Sequence, residues 1–171
     1  MERIEAIEAT MAAVFKTRGF RTRARNWFRS TRSGDYQVIN LQRSTWGSGD
    51  LYVNLGWDPA AGGAAFRPAY RCLFSVRAEE LDVGGVIHRI RPDGATKLEL
   101  PGTSLLGSEI YEATPKDQLM KEVVQVVAEP LADLMDSTTT FADLAPLINS
   151  RPVLKSVQLR NHMRSLGSPL S

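Results

Sequence analysis

The sequence predicts an α+β fold: an antiparallel sheet of four to six strands with an N-terminal helix and C-terminal helices packed on one face. Three observations carry this. Apolar side chains recur at helical spacing over residues 2–18. Strand-like runs separated by short turn sequences fill residues 25–77. Helical spacing returns after residue 114. A length of 171 residues suits one domain over residues 1–150, followed by a basic tail at 151–171 that is partly helical or frayed.

In the first helix, Ile4, Ile7, Met11, Val14 and Phe15 form one apolar stripe. Glu2, Glu5 and Glu8 lie toward its positive end, and Lys16 and Arg18 toward its negative end. Gly19 suits the left-handed position that ends a helix, with Phe20 packing back on the last turn. Strands are expected at 25–31, 36–43, 51–57 and 72–77. Gly34-Asp35 and Gly47-Ser48-Gly49-Asp50 supply turns between the first three. Residues 59–68, rich in glycine and alanine, read as a long loop. A second hairpin joins 86–91 to 97–100 through Pro92-Asp93-Gly94. Thr114 is expected to cap the next helix, with Pro115 at its first position and Asp117 three residues after the cap. Leu119, Met120, Val123 and Val127 form its stripe, and Pro130 is expected to kink or break it. Thr140 and Asp143 repeat the capping spacing before Leu144, Leu147 and Ile148.

Hydrophobic residues make up 43% and charged residues 23%, which argues for a packed globular core and against disorder. One cysteine excludes an internal disulfide, and two histidines with no second thiol leave too few ligands for a structural zinc site. No cofactor and no metal are expected. The acidic, alternating start lacks the form of a secretion signal, and no apolar run is long enough for a membrane span, so a cytoplasmic location is expected. The net charge of +2 is unevenly spread. Residues 16–32 carry seven cations and no acid, and residues 151–164 carry four, so the remainder holds −9. Such asymmetry can attract a polyanion or an acidic partner, or it can simply balance the body's own acids.

Strand parity divides the sheet. Phe28, Ile39, Leu41, Leu51, Val53, Leu55, Cys72, Phe74 and Val76 are expected on a core face under the helices. Arg25, Trp27, Arg29, Tyr36, Asn40, Gln42, Tyr52, Asn54, Ser75 and Arg77 fall on the other face. Amides, arginines and aromatics together can stack on planar groups and donate hydrogen bonds. Such a face is either a recognition surface or the underside of a second helical layer that pairs its polar atoms.

No catalytic constellation accompanies this face. The glycine clusters lack the spacing of a phosphate loop or a dinucleotide site, and Ser75 and Ser104 lack a nucleophile-elbow context. His88, in phase with Val86 and Ile90, reads as a structural histidine, His162 as a solvated one, and Cys72 as a small hydrophobe. An enzyme is therefore not expected.

Gly19-Phe20, Trp27-Phe28-Arg29, Val38-Ile39-Asn40-Leu41-Gln42 and Val53-Asn54-Leu55-Gly56 occur in the order seen in a bacterial family. The sequence resembles this family, known as domain of unknown function 4304. Cys72 and Arg77 match its cysteine and arginine, Leu73 replaces its histidine, and the tryptophans that follow the arginine in the family are absent. Glu129-Pro130-Leu131 is similar to its C-terminal region. The resemblance implies no activity. It places Arg29, Gln42, Asn54 and Arg77 at matched positions.

The expected function is that of a non-catalytic cytoplasmic module, of immunity or regulatory type, that binds a protein partner. Its binding face comprises Arg29, Gln42, Asn54, Arg77, Trp27 and Tyr52. The alternative is nucleic-acid binding through the basic segments 16–32 and 151–164, with Arg18, Arg21, Arg23 and Arg25 on phosphates and Trp27 stacking a base. A small-molecule enzyme is a third reading.

Overall fold

A computed structural model describes residues 2–45, 49–59, 65–81, 87–90, 96–99, 106–149 and 157–167. The first helix, α1, spans Glu2–Thr17. Its end is a Schellman motif. Phe20 N–H donates to Phe15 O at 3.0 Å and Gly19 N–H to Lys16 O at 3.1 Å, with Gly19 at φ +81°. The rings of Phe15 and Phe20 meet at 5.8 Å, as the sequence leads one to expect.

Five strands follow as an antiparallel meander in sequence order: β1 (Arg21–Arg23), β2 (Asn26–Ser30), β3 (Tyr36–Arg43), β4 (Leu51–Asp58) and β5 (Phe74–Arg77). The first is an addition to the expected set. A tight turn through Ala24, at φ +49°, folds it back on β2. A separate hairpin pairs β6 (Ile87–Ile90) with β7 (Thr96–Glu99). The turn Pro92-Asp93-Gly94, Gly47-Ser48, much of loop 59–68 and the tail residues Arg151 and Lys155 lie outside the described residues, as does the side chain of His88.

One face of the sheet carries the main core. Trp27, Ile39, Leu41, Val53, Leu55, Trp57, Phe74 and Val76 pack there against the stripe Ile4, Ile7, Met11, Val14 and Phe15 of α1. The C-terminal helices cover the same side: α2 (Ser108–Ala113), α3 (Lys116–Glu122), α4 (Glu129–Ser137), α5 (Ala145–Asn149) and α6 (Val157–Ser165). Leu159 and Met163 of α6 are buried in this core, which anchors part of the basic tail. No helix among the described residues is long and apolar enough to cross a membrane.

Three local expectations need correction. Trp27 and Phe28 exchange faces. Trp27 is fully buried against Phe15, at 5.0 Å between rings, whereas Phe28 joins Tyr36, Val38, Phe66 and Ala69 on the opposite side. The larger ring takes the thicker core, since buried apolar area sets the register. Thr114 does not start a helix. It closes α2, with its hydroxyl donating to Ile110 O at 2.7 Å, and α3 begins after Pro115. Pro130 does not break the helical run over 116–137. A π-helical turn, Val123–Ala128, precedes it, and Glu129 N–H donates to Val124 O. The widened turn moves aside the carbonyl that the proline ring would strike, and Pro130 falls in the first turn of α4, where no amide is missed.

Polar side chains tie the helix ends to the sheet. The Asp35 carboxylate accepts Phe141 N–H at 2.6 Å, and Asp50 accepts Ser108 N–H at 2.8 Å. Thr140 and Asp143 form the expected capping box over the 3₁₀ turn Phe141–Leu144. At the other polarity, buried Gln37 donates from Nε2 to Met135 O at 2.8 Å and to Thr138 O at 2.7 Å, closing the end of α4. Trp57 Nε1 donates to Thr138 Oγ1 at 3.1 Å beside it. Gln37→Leu keeps the volume, leaves Met135 O with only the long bond from Thr138 N–H at 3.4 Å, and orphans the Thr138 carbonyl and the Nε–H of Arg29 that donates to Gln37 Oε1, at about 1–3 kcal/mol for each orphaned group. Urea unfolding should show a loss of about 2–5 kcal/mol. A loss within about 0.5 kcal/mol, as at an ordinary surface site, contradicts this role.

Candidate functional site

Beside the small apolar cluster of Phe28, Tyr36, Val38 and Ala69, the second face of the sheet is polar. Strand register lays one row across all five strands: Arg23, Asn26, Asn40, Asn54 and Arg77. Directly paired residues point to the same side, so an arginine stands at each end of three asparagines. The amides form a chain of hydrogen bonds. Asn54 Nδ2 donates to Asn40 Oδ1 at 2.9 Å, Asn40 Nδ2 to Asn26 Oδ1 at 3.0 Å, and Asn26 Nδ2 to Arg23 O at 3.2 Å. Asn54 Nδ2 also donates to Gln42 Oε1 at 2.9 Å. Every carboxamide in the chain is thereby fixed in orientation.

The three asparagines of this row, with Gln42 and Ser75, floor a cleft of about 490 Å³ walled by Phe66, Pro68, Ala69 and Tyr70. No acidic side chain is among its described lining residues. Aromatic rings and guanidinium groups alternate around it. Arg21 lies over Phe28 at 5.3 Å, Arg23 over Phe66 at 4.9 Å, Arg77 over Tyr52 at 4.7 Å and Arg71 over Tyr70 at 5.8 Å. Tyr70 is 76% exposed, the most exposed large hydrophobic side chain among the described residues.

The wall is docked on the sheet by chemistry from β3 and β4. Asp58, buried, forms an ion pair with Arg67 and accepts Leu73 N–H at 2.7 Å. Tyr36 OH donates to Arg67 O at 2.8 Å and accepts Arg67 N–H at 3.0 Å. The wall comes so close to β4 that a Cβ on Gly56 would lie 2.8 Å from Cys72 Sγ and 3.0 Å from Ala69 Cα. Burial pushes the Tyr36 phenol up to about 12, and burial with the Asp58 charge pushes the Cys72 thiol up to about 12. Cys72 belongs to this secondary cluster and not to the main core where its parity places it.

Not every expected site residue lies here. Gln42, Asn54, Arg77 and Tyr52 do, in one connected group. Arg29 and Trp27 do not, because β2 has the opposite parity. Trp27 is sealed in the core, and its Nε1 has no hydrogen-bond partner among the described residues. Arg29 is 13% exposed on the core side. It donates from Nε to Gln37 Oε1 at 2.8 Å and from Nη1 to Arg18 O at 2.6 Å, meets Asp136 at 2.8 Å and lies 4.3 Å over Phe20.

The four arginines expected on phosphates also divide. Arg18 meets Asp136 at 2.6 Å, Glu129 at 2.7 Å and Asp133 at 3.0 Å, and these contacts raise its pKa further. Arg25 pairs with Glu8 at 3.0 Å. Arg21 and Arg23 border the open face. His162 is half-buried, edge-on to Phe141 at 4.9 Å, and not simply solvated.

Asn26, Phe66, Tyr70 and Arg71 enter the site without having been singled out by the sequence. Asn26 follows once Trp27 is assigned to the core. Nothing in strand alternation points to the wall residues, which come from a loop segment and the 3₁₀ turn Ala69–Arg71 that follows it.

The family described as Domain of unknown function (DUF4304) matches residues 11–95, so the chain resembles that family from within α1 to beyond β6. The match takes in the five-stranded sheet and the cleft wall. It does not reach the helices from residue 106 onward. No curated protein and no solved structure matches the chain.

The half-buried Cys72 thiol and the buried Tyr36 phenol predict alkaline weakening. Both groups keep their protons in the folded chain to about pH 12, whereas the unfolded thiol loses its proton near 9.0 and the phenol near 10.0. The folded state therefore holds more protons at high pH, and stability falls as pH rises from about 9 toward 12. Urea midpoints followed across this range should fall more steeply for the wild type than for Cys72→Ala. Parallel curves would contradict the burial of the thiol.

Proposed function

We propose that the chain is a non-catalytic binding module, of regulatory or immunity type, that holds a protein partner on the open face of its sheet. The observation that carries this is the Arg23–Asn26–Asn40–Asn54–Arg77 row, whose three asparagines floor a cleft with Tyr70 exposed on its wall. Oriented amides can pair with peptide groups, which carry one donor and one acceptor each. An exposed tyrosine beside a cleft is the type of residue that dominates protein interfaces. Ser75 is the only hydroxyl of serine or threonine in the described lining, and neither histidine nor carboxylate accompanies it there. A lone, inert thiol fits a cytoplasmic setting. Arg18 and Arg25 in internal ion pairs and Trp27 in the core weigh against the nucleic-acid reading.

A photo-crosslinking amino acid placed at position 70 should capture a defined protein in the source cells. The same group at exposed Lys121, on the helical side, should not. Tyr70→Ala should weaken binding of the captured protein about tenfold or more. Capture at both positions or at neither, or a nuclease-sensitive adduct, would contradict the proposal.

A further inference from the structure

From the same face, and resting on the binding role just proposed, we infer the form of the occupant: an extended, acidic segment of the partner protein that crosses the strands along the asparagine row. Length and charge together define it. The row spans four strand spacings, about 19 Å from β1 to β5 at ~4.8 Å each. An extended peptide covers that distance in about six residues at ~3.3 Å per residue. Arg23 and Arg77 stand at the two ends, with Arg21 and Arg71 beside the wall.

The middle of the row offers three carboxamides and no charge. A segment that fits carries one carboxylate near each end and uncharged residues between them. The central asparagines meet its backbone, and Tyr70 packs on a side chain of the segment. A segment with its acids clustered at the centre sets them against neutral amides and leaves both terminal arginines unmatched. The surface therefore reads the spacing of negative charge and not only its amount.

The test uses two synthetic heptapeptides of one composition, built from aspartate, asparagine, serine and glycine and blocked at both ends. One has aspartates at its first and last positions, and the other has them adjacent at the centre. Side-chain amide signals of uniformly ¹⁵N-labelled protein are followed during titration up to about 2 mM peptide, a range suited to weak binding. The spaced peptide should bind about fivefold tighter than the clustered one, as expected for two exposed ion pairs. It should shift the signals of Asn26, Asn40 and Asn54. Arg23→Glu and Arg77→Glu should each remove the preference while leaving the thermal midpoint unchanged, since both side chains are exposed. Asn40→Ala should weaken both peptides by a similar factor.

Equal affinity for the two peptides would overturn the inference, as would no shift for either at about 2 mM. So would tighter binding of a single-stranded oligonucleotide that moves the same signals. If the peptides fail while a partner is still captured at position 70, the face binds a protein of another shape and only the inference falls. If both fail, the binding role falls with it.

Discussion

Arg29 sits where the ends of α1 and α4 meet on the sheet. Its guanidinium closes the last carbonyls of α1 through Arg18 O, holds Gln37 as that side chain closes α4, and faces Asp136 at the end of α4. Both helices point the negative ends of their dipoles at this cation, so one charge satisfies two termini. Phe20, delivered by the Schellman turn, covers the guanidinium at 4.3 Å and limits its hydration. Breaking such a group by removing one partner leaves buried polar atoms behind, which is why the site tolerates little change. The positions of α1 and α4, and with them the whole helical layer, follow from this junction and from the apolar stripe of α1.

A helical layer anchored on one side leaves the other side free. The same strands that bury Ile39, Leu41, Val53 and Leu55 turn Asn40, Gln42, Tyr52 and Asn54 away from the helices. Among the described residues, those around 65–73 return over that face, held by Asp58 and Tyr36 and admitted by the missing Cβ of Gly56. The cleft thus arises from the folded arrangement of a loop against a sheet. Among the described residues, its amides are linked to one another and to the carbonyls of Arg23 and Arg25, and not to a covering helix.

Much of this architecture is legible in the sequence. The α1 stripe, the Gly19 stop, the alternation in β3 and β4 and the capping box at Thr140 depend on local periodicity or local hydrogen bonds. What fails depends on tertiary choice. In β2, Trp27 and Phe28 are adjacent and both large, so alternation cannot decide which faces the core. That error alone moves Arg29 from the open face to the junction. Pro130 is read as a break because helical sequence rules assume α geometry throughout, and a π-helical turn removes the clash. The wall of the cleft is invisible to periodicity, since Phe66 and Tyr70 belong to no repeating element. The turn aspartates Asp35 and Asp50 read as turn formers, and their service as caps to distant helical turns appears only once those turns are in place.

The central claim is a division of labour, with stability on one face of the sheet and recognition on the other. Urea unfolding of Arg29→Met beside Asn54→Ala tests it most directly, because the residues belong to the two strands that flank β3 in one sheet yet to opposite faces. The account predicts that Arg29→Met loses at least about 2 kcal/mol, from several orphaned or weakened polar groups, whereas Asn54→Ala stays within about 1 kcal/mol, because water on the open face replaces its two hydrogen bonds. Equal losses, or a larger loss at Asn54, would contradict it.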